Sequence, residues 1–169
     1  MIVIKTQNEI FAMKESAKIL SDTLKLLAEN IKAGMTTKQL DSIAYGYITK
    51  CGARPSFLNY NGFPASICTS IDDEVIHGIP SNRRIEEGQI ISVDAGVFYK
   101  GFHSDAARTY AVGKVSGVKQ KLIEVAEKSF FSGIKILKEG IRLGDLGSTI
   151  QNTVEENGFS VVRDMVGHG

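Results

Sequence analysis

The chain has 169 residues, 20 Lys and Arg against 19 Asp and Glu, and a formal net charge of +1. This balance excludes nucleic acid or an anionic membrane as the main partner, because such binding needs a clustered basic face. No segment approaches the ~20 consecutive apolar residues of a membrane-spanning helix. Cys51 and Cys68 match no metal-finger spacing, so we expect two reduced thiols in a cytoplasmic globular protein.

Two helices and a hairpin are predicted in the first part of the chain. Apolar residues recur in steps of three and four before Gly34, which predicts an amphipathic helix. The members of this stripe are Ile10, Met13, Ala17, Leu20, Leu24, Leu27 and Ile31. A capping box at Thr36 and Gln39 begins a second helix, which continues to Gly52. β-Branched and aromatic residues dominate residues 89–112 and predict an antiparallel hairpin that turns at residues 99–101.

The second part begins with the same order of elements. A helix before Gly140 has one apolar face, formed by Leu122, Val125, Ala126, Phe130, Ile134 and Leu137. A further helix from about Asp145 ends at Gly158, and residues 159–163 are predicted to form a strand.

An internal repeat relates the two parts. Adding 106 to the numbers of five residues reaches an identical residue each time; these are Lys32, Gly34, Leu40, Ser42 and Gly52. Chance alignment of two helix pairs that end in glycine is the alternative. A true repeat predicts two pseudo-symmetric α/β halves, the first at about residues 1–112 and the second from about 113 to 169 with an incomplete sheet, as in a shortened form of a larger protein.

Two aspartates lie in the predicted hairpin. Asp94 interrupts an apolar strand, where an isolated charge costs several kcal/mol to bury, and Asp105 follows in the next strand. With a two-residue turn at residues 100–101, opposed residues have numbers that sum to 201. Asp94 and Asp105 are then expected on one face, where they can share or bridge divalent ions. The alternative is that one aspartate pairs with Arg108 and the other is exposed at the sheet edge.

The histidines are weaker candidates individually. His168 lies between two glycines that would let a metal or a peptide approach, although a lone histidine is more often structural. His77 can donate a hydrogen bond to a substrate carbonyl or amide, with an ordinary surface histidine as the alternative. His103 is assigned the opposite parity to both aspartates and is left out of the candidate site.

An irregular segment, residues 60–68, combines two aromatic side chains and a thiol with Gly and Pro. Such side chains can line a small apolar pocket, although most aromatic residues belong to a core. The chain has no P-loop, dinucleotide-binding, nucleophile-elbow or HExxH motif.

Five segments taken together resemble the type I methionine aminopeptidases of bacterial kind; they are residues 60–68, 74–80, 93–96, 102–105 and 167–169. The resemblance covers essentially the whole chain. It implies the α+β pita-bread fold, two pseudo-symmetric αβ halves around an antiparallel sheet, in a single metalloaminopeptidase catalytic domain over residues 1–169. It also implies hydrolytic removal of the N-terminal methionine from nascent proteins, with a dinuclear divalent metal site that activates a bridging water.

The resemblance also assigns roles to individual residues. Asp94 would bind one metal ion, Asp105 both ions and His168 the second, while His77 would act catalytically by contacting the amide at the scissile bond. The side chains that would shape the methionine pocket are Tyr60, Phe63 and Cys68. Phe57 stands where relatives often have a smaller residue. The ions would be Co, Mn, Fe or Zn, among which the sequence does not choose.

The family's site uses two further glutamates and a second histidine, C-terminal to the Gly-His-Gly motif, that the 169 residues lack. With three metal ligands and no general base, the chain as given is expected to be inactive or weakly active. The expected partners are peptide and nascent-protein N-termini that begin with methionine, met close to the ribosome, without direct contact to nucleic acid or membrane. The full protein would be a monomer, whereas this chain is expected to self-associate through exposed strand edges and apolar faces.

Other functions stay open beside this one. A prolidase-like or creatinase-like metallohydrolase shares the fold but usually carries an additional N-terminal domain. A non-catalytic peptide-binding relative generally loses the metal aspartates, which are present here. A fragment without a function of its own is the last alternative.

Overall fold

A computed structural model describes residues 3–168 and divides the chain into two compact units. Unit 1 ends at Val115 and unit 2 begins at Ser116. Gly169, the last residue of the predicted Gly-His-Gly motif, lies outside the described residues. Within residues 3–168 no helix is long and apolar enough to cross a membrane.

Unit 1 consists of two helices followed by strands. In chain order the elements are α1 (Gln7–Asn30), α2 (Thr37–Lys50), β1 (Arg54–Pro55), a 3-10 turn (Tyr60–Gly62), β2 (Ile67–Ile71), β3 (Ile90–Tyr99) and β4 (Phe102–Ala111). The predicted capping box at the start of α2 is confirmed, because Thr36 accepts from the backbone of Gln39 and the Gln39 side chain accepts from the backbone of Thr36.

β3 is the central strand of the sheet. β4 pairs along one edge of it, and β2 and β1 lie in line along the other edge, all antiparallel. Ile90 lies opposite Ala111 and Tyr99 opposite Phe102, so opposed numbers sum to 201, as predicted. Lys100 and Gly101 both have positive φ, 49° and 87°, as a two-residue hairpin turn requires.

The core lies between the two helices and one face of this sheet. Alternate residues of β3 are buried beneath α1 and α2; they are Ile91, Val93, Ala95 and Val97. Leu27, Leu40 and Ile48 of the helices are fully buried in the same cluster. The even-numbered residues of β3 project from the opposite face, where the candidate site lies.

The apolar stripe predicted for α1 is partly wrong. Ala17 and Met13 are exposed, whereas Ser16 and Thr23 are fully buried beside Leu20. Ser16 faces the sheet because its Oγ donates to the carbonyl of Val97 at 2.9 Å. A hydroxyl that makes such a bond is buried without an unsatisfied polar group.

Unit 2 contains α3 (Gly117–Ile136) and α4 (Leu143–Glu156). The face predicted to be buried on α3 is wrong in most positions; those exposed are Leu122, Ala126, Phe130, Ile134 and Leu137. The buried positions are Val125, Ser129 and Gly133. A Cβ on Gly133 would lie 3.0 Å from Leu146 Cδ1 and 3.1 Å from Ile150 Cγ1, so the small residue allows α4 to pack closely.

The strand predicted over residues 159–163 is absent from the structure. Residues 159–162 form no regular element, and residues 163–164 are a turn. A strand needs a neighbour to complete its ladder of hydrogen bonds, and none lies in the described part of unit 2.

Candidate functional site

Asp94 and Asp105 project from the same face of the β3–β4 hairpin. Asp94 lies opposite Ala107 and Asp105 lies opposite Gly96, so the two aspartates are one diagonal step apart. This is the relationship that the residue numbering predicts. The Oδ1 atom of Asp94 is buried, whereas Asp105 is exposed.

Cys68 completes this cluster from the neighbouring strand. It lies directly opposite Asp94 in the β2–β3 pairing and is 5% exposed. Burial raises the pKa of the Cys68 thiol to about 12, and the charges of Asp94 and Asp105 contribute to the increase. Cys68 is therefore a neutral, apolar neighbour of the carboxylates at neutral pH.

Asp41 holds the beginning of β2. Its Oδ1 accepts hydrogen bonds from the backbone N–H groups of Ser66, at 2.7 Å, and Ile67, at 3.2 Å. Burial raises the pKa of the Asp41 carboxyl, and the two hydrogen bonds oppose this increase. Sequence reasoning missed Asp41, because nothing in the pattern of α2 indicates which loop its carboxylate contacts.

His77 lies in a segment that is fixed against β2. The N–H of Thr69 donates to the carbonyl of Gly78 at 2.8 Å, and the N–H of Gly78 donates to Ser70 Oγ at 3.2 Å. A Cβ on Gly78 would lie 2.1 Å from the Thr69 carbonyl oxygen, so only glycine permits this approach. His77 itself is exposed and has φ of 57°, in the left-handed region.

The aromatic residues of the predicted pocket differ in position. Tyr60 is 69% exposed, and Phe63 is half-buried. Phe57 covers the aspartate face, because a Cβ on Gly96 would lie 2.7 Å from Phe57 Cε1. Phe57 therefore forms one wall of the space beside Asp94 and Asp105.

The parity assigned to His103, which left it out of the candidate site, is wrong. His103 and Asp105 are two residues apart on one strand and so share a face. The His103 Nδ1 atom lies 2.9 Å from Ser56 Oγ, and its ring centroid lies 4.5 Å from that of Phe98. His103 thus belongs to the aspartate face but is engaged with Ser56 and Phe98.

The alternative in which Arg108 pairs with an aspartate is not favoured by the register. Arg108 lies opposite Val93 and so projects from the core side of the hairpin, the face opposite to the aspartates. It lies close enough to Tyr110, which shares that face, to lower the Tyr110 pKa against the larger effect of burial, which raises it.

The third predicted ligand, His168, is exposed and belongs to unit 2. Within residues 3–168 no three His, Cys, Asp or Glu side chains come together as a metal site. The two carboxylates fit part of a ligand set for a divalent ion that accepts oxygen donors. The assignments of Asp94, Asp105 and His168 as ligands, and of His77, Tyr60, Phe63 and Cys68 as substrate contacts, stay predictions.

Comparison with known proteins identifies relatives of this arrangement. The model of metallopeptidase family M24 matches residues 12–169. A methionine aminopeptidase of Clostridium perfringens is 52% identical over 169 residues, which are 100% of this chain and 68% of that relative. The crystal structure of methionine aminopeptidase from Rickettsia prowazekii superposes with a TM-score of 0.97 at 38% identity, over 100% of this chain and 68% of that one.

A prolidase from Pyrococcus furiosus shares the fold alone. Its TM-score is 0.83 at 23% identity, over 92% of this chain and 45% of the prolidase. The pita-bread fold, with an antiparallel sheet and helices, is thus confirmed by its structural neighbours.

Proposed function

This chain belongs to metallopeptidase family M24, among the methionine aminopeptidases, and we propose that Asp94 and Asp105 help to bind two divalent ions that serve the removal of N-terminal methionine. The observation that carries the proposal is that both carboxylates project from one face beside the buried Cys68. Divalent ions supply activation of water and polarisation of a carbonyl near neutral pH when they are bound.

The chain's own residues supply the surroundings. The carboxylates of Asp94 and Asp105 provide oxygen ligands, and the two negative charges repel each other without a cation. The neutral thiol of Cys68 and the ring of Phe57 give the adjacent space an apolar wall, which suits the side chain of methionine. His77, fixed beside β2, would donate a hydrogen bond at the scissile amide.

His168 is the proposed third ligand, and we propose that a polypeptide of these 169 residues alone is inactive or weakly active. Three ligands bind a metal pair weakly, and among the described residues 3–168 no three His, Cys, Asp or Glu side chains come together as a metal site. The proposed substrates are peptide and nascent-protein N-termini that begin with methionine, met in the cytoplasm close to the ribosome.

Metal binding tests the ligand assignment directly. Titration of the chain with Mn²⁺ or Co²⁺ by calorimetry should give an affinity that falls at least about tenfold in Asp94→Asn and Asp105→Asn. The exposed Asp73 supplies the matched control, and Asp73→Asn should leave the affinity unchanged. Equal affinities in all variants would rule out Asp94 and Asp105 as ligands.

A chimera tests the activity. Residues 1–169 are joined to the C-terminal third of the C. perfringens relative, and methionine release from Met-Ala-Ser is measured with added Mn²⁺. The chimera should be active, Asp94→Asn should abolish its activity and Asp73→Asn should not. An active chimera that is insensitive to Asp94→Asn would contradict the proposed site, and comparable turnover by the 169 residues alone would contradict the proposed inactivity.

A further inference from the structure

A cleft of about 410 Å³ lies in unit 1, and neither Asp94 nor Asp105 is among the described residues that line it. Its walls come from the C-terminal part of α2, from residues 54–59 and from the turn end of the β3–β4 hairpin. His103 lines the cleft and is two residues from Asp105, which corresponds to about 7 Å along a strand. The cleft is therefore next to the candidate metal site and separate from it.

Arg54 supplies the charge of this cleft. Its guanidinium carbon lies 4.8 Å from the centroid of the Phe98 ring, which orients the side chain by a cation–π contact. Among residues 3–168 Arg54 forms no ion pair. A guanidinium presents parallel N–H donors that match the two oxygens of a carboxylate.

The other walls suit the same kind of ligand. No Asp or Glu is among the described residues that line the cleft. His103 and Ser56 add polar groups and are held together at 2.9 Å. Pro55 and Leu58 add apolar surface, which a fully hydrated inorganic ion would not use. A single fixed positive charge also matches a monoanion better than a dianion.

We propose that this cleft binds a small organic carboxylate, with the carboxylate paired to Arg54 and the apolar body against Pro55 and Leu58. The ligand can be a peptide with a free carboxyl terminus or one with an acidic side chain, because both present the same group. This site is independent of the metal ions and of the proposed aminopeptidase activity.

The test is an NMR titration of the 169-residue chain after divalent ions have been removed with a chelating resin, so that no divalent ion can hold the ligand at the aspartates. N-acetyl-leucine should shift the Arg54 Nε–Hε signal with saturation in the millimolar range, and N-acetyl-leucinamide should bind at least about tenfold more weakly, because it lacks the charge. A second pair of ligands distinguishes the two sources of carboxylate: N-acetyl-glutamine has only a free α-carboxylate, and N-acetyl-glutamic acid α-amide has only a side-chain carboxylate. If N-acetyl-glutamic acid α-amide binds, the cleft accepts acidic side chains. If it does not bind and N-acetyl-leucine does, the cleft is restricted to carboxyl termini.

Variants separate this site from diffuse surface charge. Arg54→Gln, which keeps a polar side chain but removes the charge, should weaken N-acetyl-leucine binding at least about tenfold, and Arg54→Lys should weaken it less. Lys50→Ala removes an exposed positive charge that follows α2 residue Thr49 and does not line the cleft, and should leave binding within about twofold. The proposal would be overturned if N-acetyl-leucine and N-acetyl-leucinamide bound equally well, or if inorganic phosphate bound more strongly than N-acetyl-leucine. Equal losses of affinity in Lys50→Ala and Arg54→Gln would also overturn it.

Discussion

The thiol of Cys68 and the carboxylate of Asp94 occupy directly opposed positions of β2 and β3 and face the same side of the sheet. Opposed side chains in an antiparallel pair are close neighbours, so the charge on one affects the ionisation of the other. Burial contributes most to the increase of the Cys68 pKa from 9.0 to about 12, and Asp94 comes next.

Alkylation should therefore distinguish the two cysteines. With a pKa of about 12, about one Cys68 thiol in a thousand is ionised at pH 9, and the thiolate is the reactive form. In a Cys51→Ser background, iodoacetamide should modify folded Cys68 very slowly at pH 9 and rapidly in denaturant, as measured by mass spectrometry. Asp94→Asn should increase the folded rate by lowering the pKa partway towards 9.0.

The same pKa difference has a consequence for stability. The folded chain keeps the Cys68 proton above pH 9, whereas the unfolded chain loses it, so the free energy of unfolding should fall as the pH rises from 9 towards 12. Cys68→Ala should weaken this pH dependence.

The alkylation experiment also has a contradicting outcome. A chain whose Cys68 reacts with iodoacetamide at pH 9 as fast when folded as when unfolded would contradict the geometry described for this cluster.

Asp41 should matter through its hydrogen bonds more than through its charge. Asp41→Ala leaves the N–H groups of the buried residues Ser66 and Ile67 without an acceptor and should cost about 1–3 kcal/mol in the free energy of unfolding. Asp41→Asn keeps an acceptor and removes a charge that burial disfavours. We expect Asp41→Asn to be at least as stable as the parent chain at pH 7.

The sign of the pH effect provides the check. Because the folded pKa of Asp41 lies above 3.8, its protonated form favours folding at low pH, and that contribution is lost as the pH rises through the folded pKa. The advantage of Asp41→Asn should therefore shrink as the pH falls from 7 towards 4 in thermal melts. The exposed Asp73→Asn is the control, and an Asp41→Asn variant that is less stable than the parent at every pH would contradict this account.

The hairpin was the part of the site that sequence could predict. Strand alternation and a two-residue turn fix the register by arithmetic, and the arithmetic places Asp94 and Asp105 on one face. The same arithmetic includes His103, whose exclusion was an error of parity and required no structure to correct. Local rules thus sufficed wherever pairing partners are adjacent in the chain.

Contacts between distant segments could not be predicted in this way. The pairing of Cys68 with Asp94 depends on β2, whose five residues are all buried and show no alternation. The buried face of α3 was misjudged because the helix uses Ser129 and Gly133 for packing, and periodicity counts only large apolar residues. In both cases the partner's surface decides which residues are buried.

The histidine at position 77 should lower the free energy of unfolding because of its backbone conformation. A non-glycine residue in the left-handed region costs about 1–2 kcal/mol, and His77 is exposed with φ of 57°. His77→Gly should therefore be about 1 kcal/mol more stable than His77→Ala in denaturant unfolding, after allowance for the entropy of glycine.

A matched pair of variants at Glu86 tests the cause. Glu86 is exposed and lies outside the left-handed region, so Glu86→Gly should be no more stable than Glu86→Ala. If His77→Ala and His77→Gly were equally stable, the backbone strain at His77 would be disproved. The expected difference would mean that histidine is present at this position for its imidazole, as a substrate contact requires.

The exposed face of α3 should make the chain self-associate. Phe130, Ile134 and Leu137 are 49%, 47% and 50% exposed and lie four and three residues apart, on one side of the helix. Contiguous apolar surface of this kind is removed from water when two copies meet. Light scattering coupled to size-exclusion chromatography should show a mass that increases with concentration, and the double variant Phe130→Ser and Ile134→Ser should remain a monomer. Lys128→Ser changes an exposed residue on a different side of the same helix and should associate like the parent chain. A parent chain that stays monomeric at all concentrations would show that this face does not drive association.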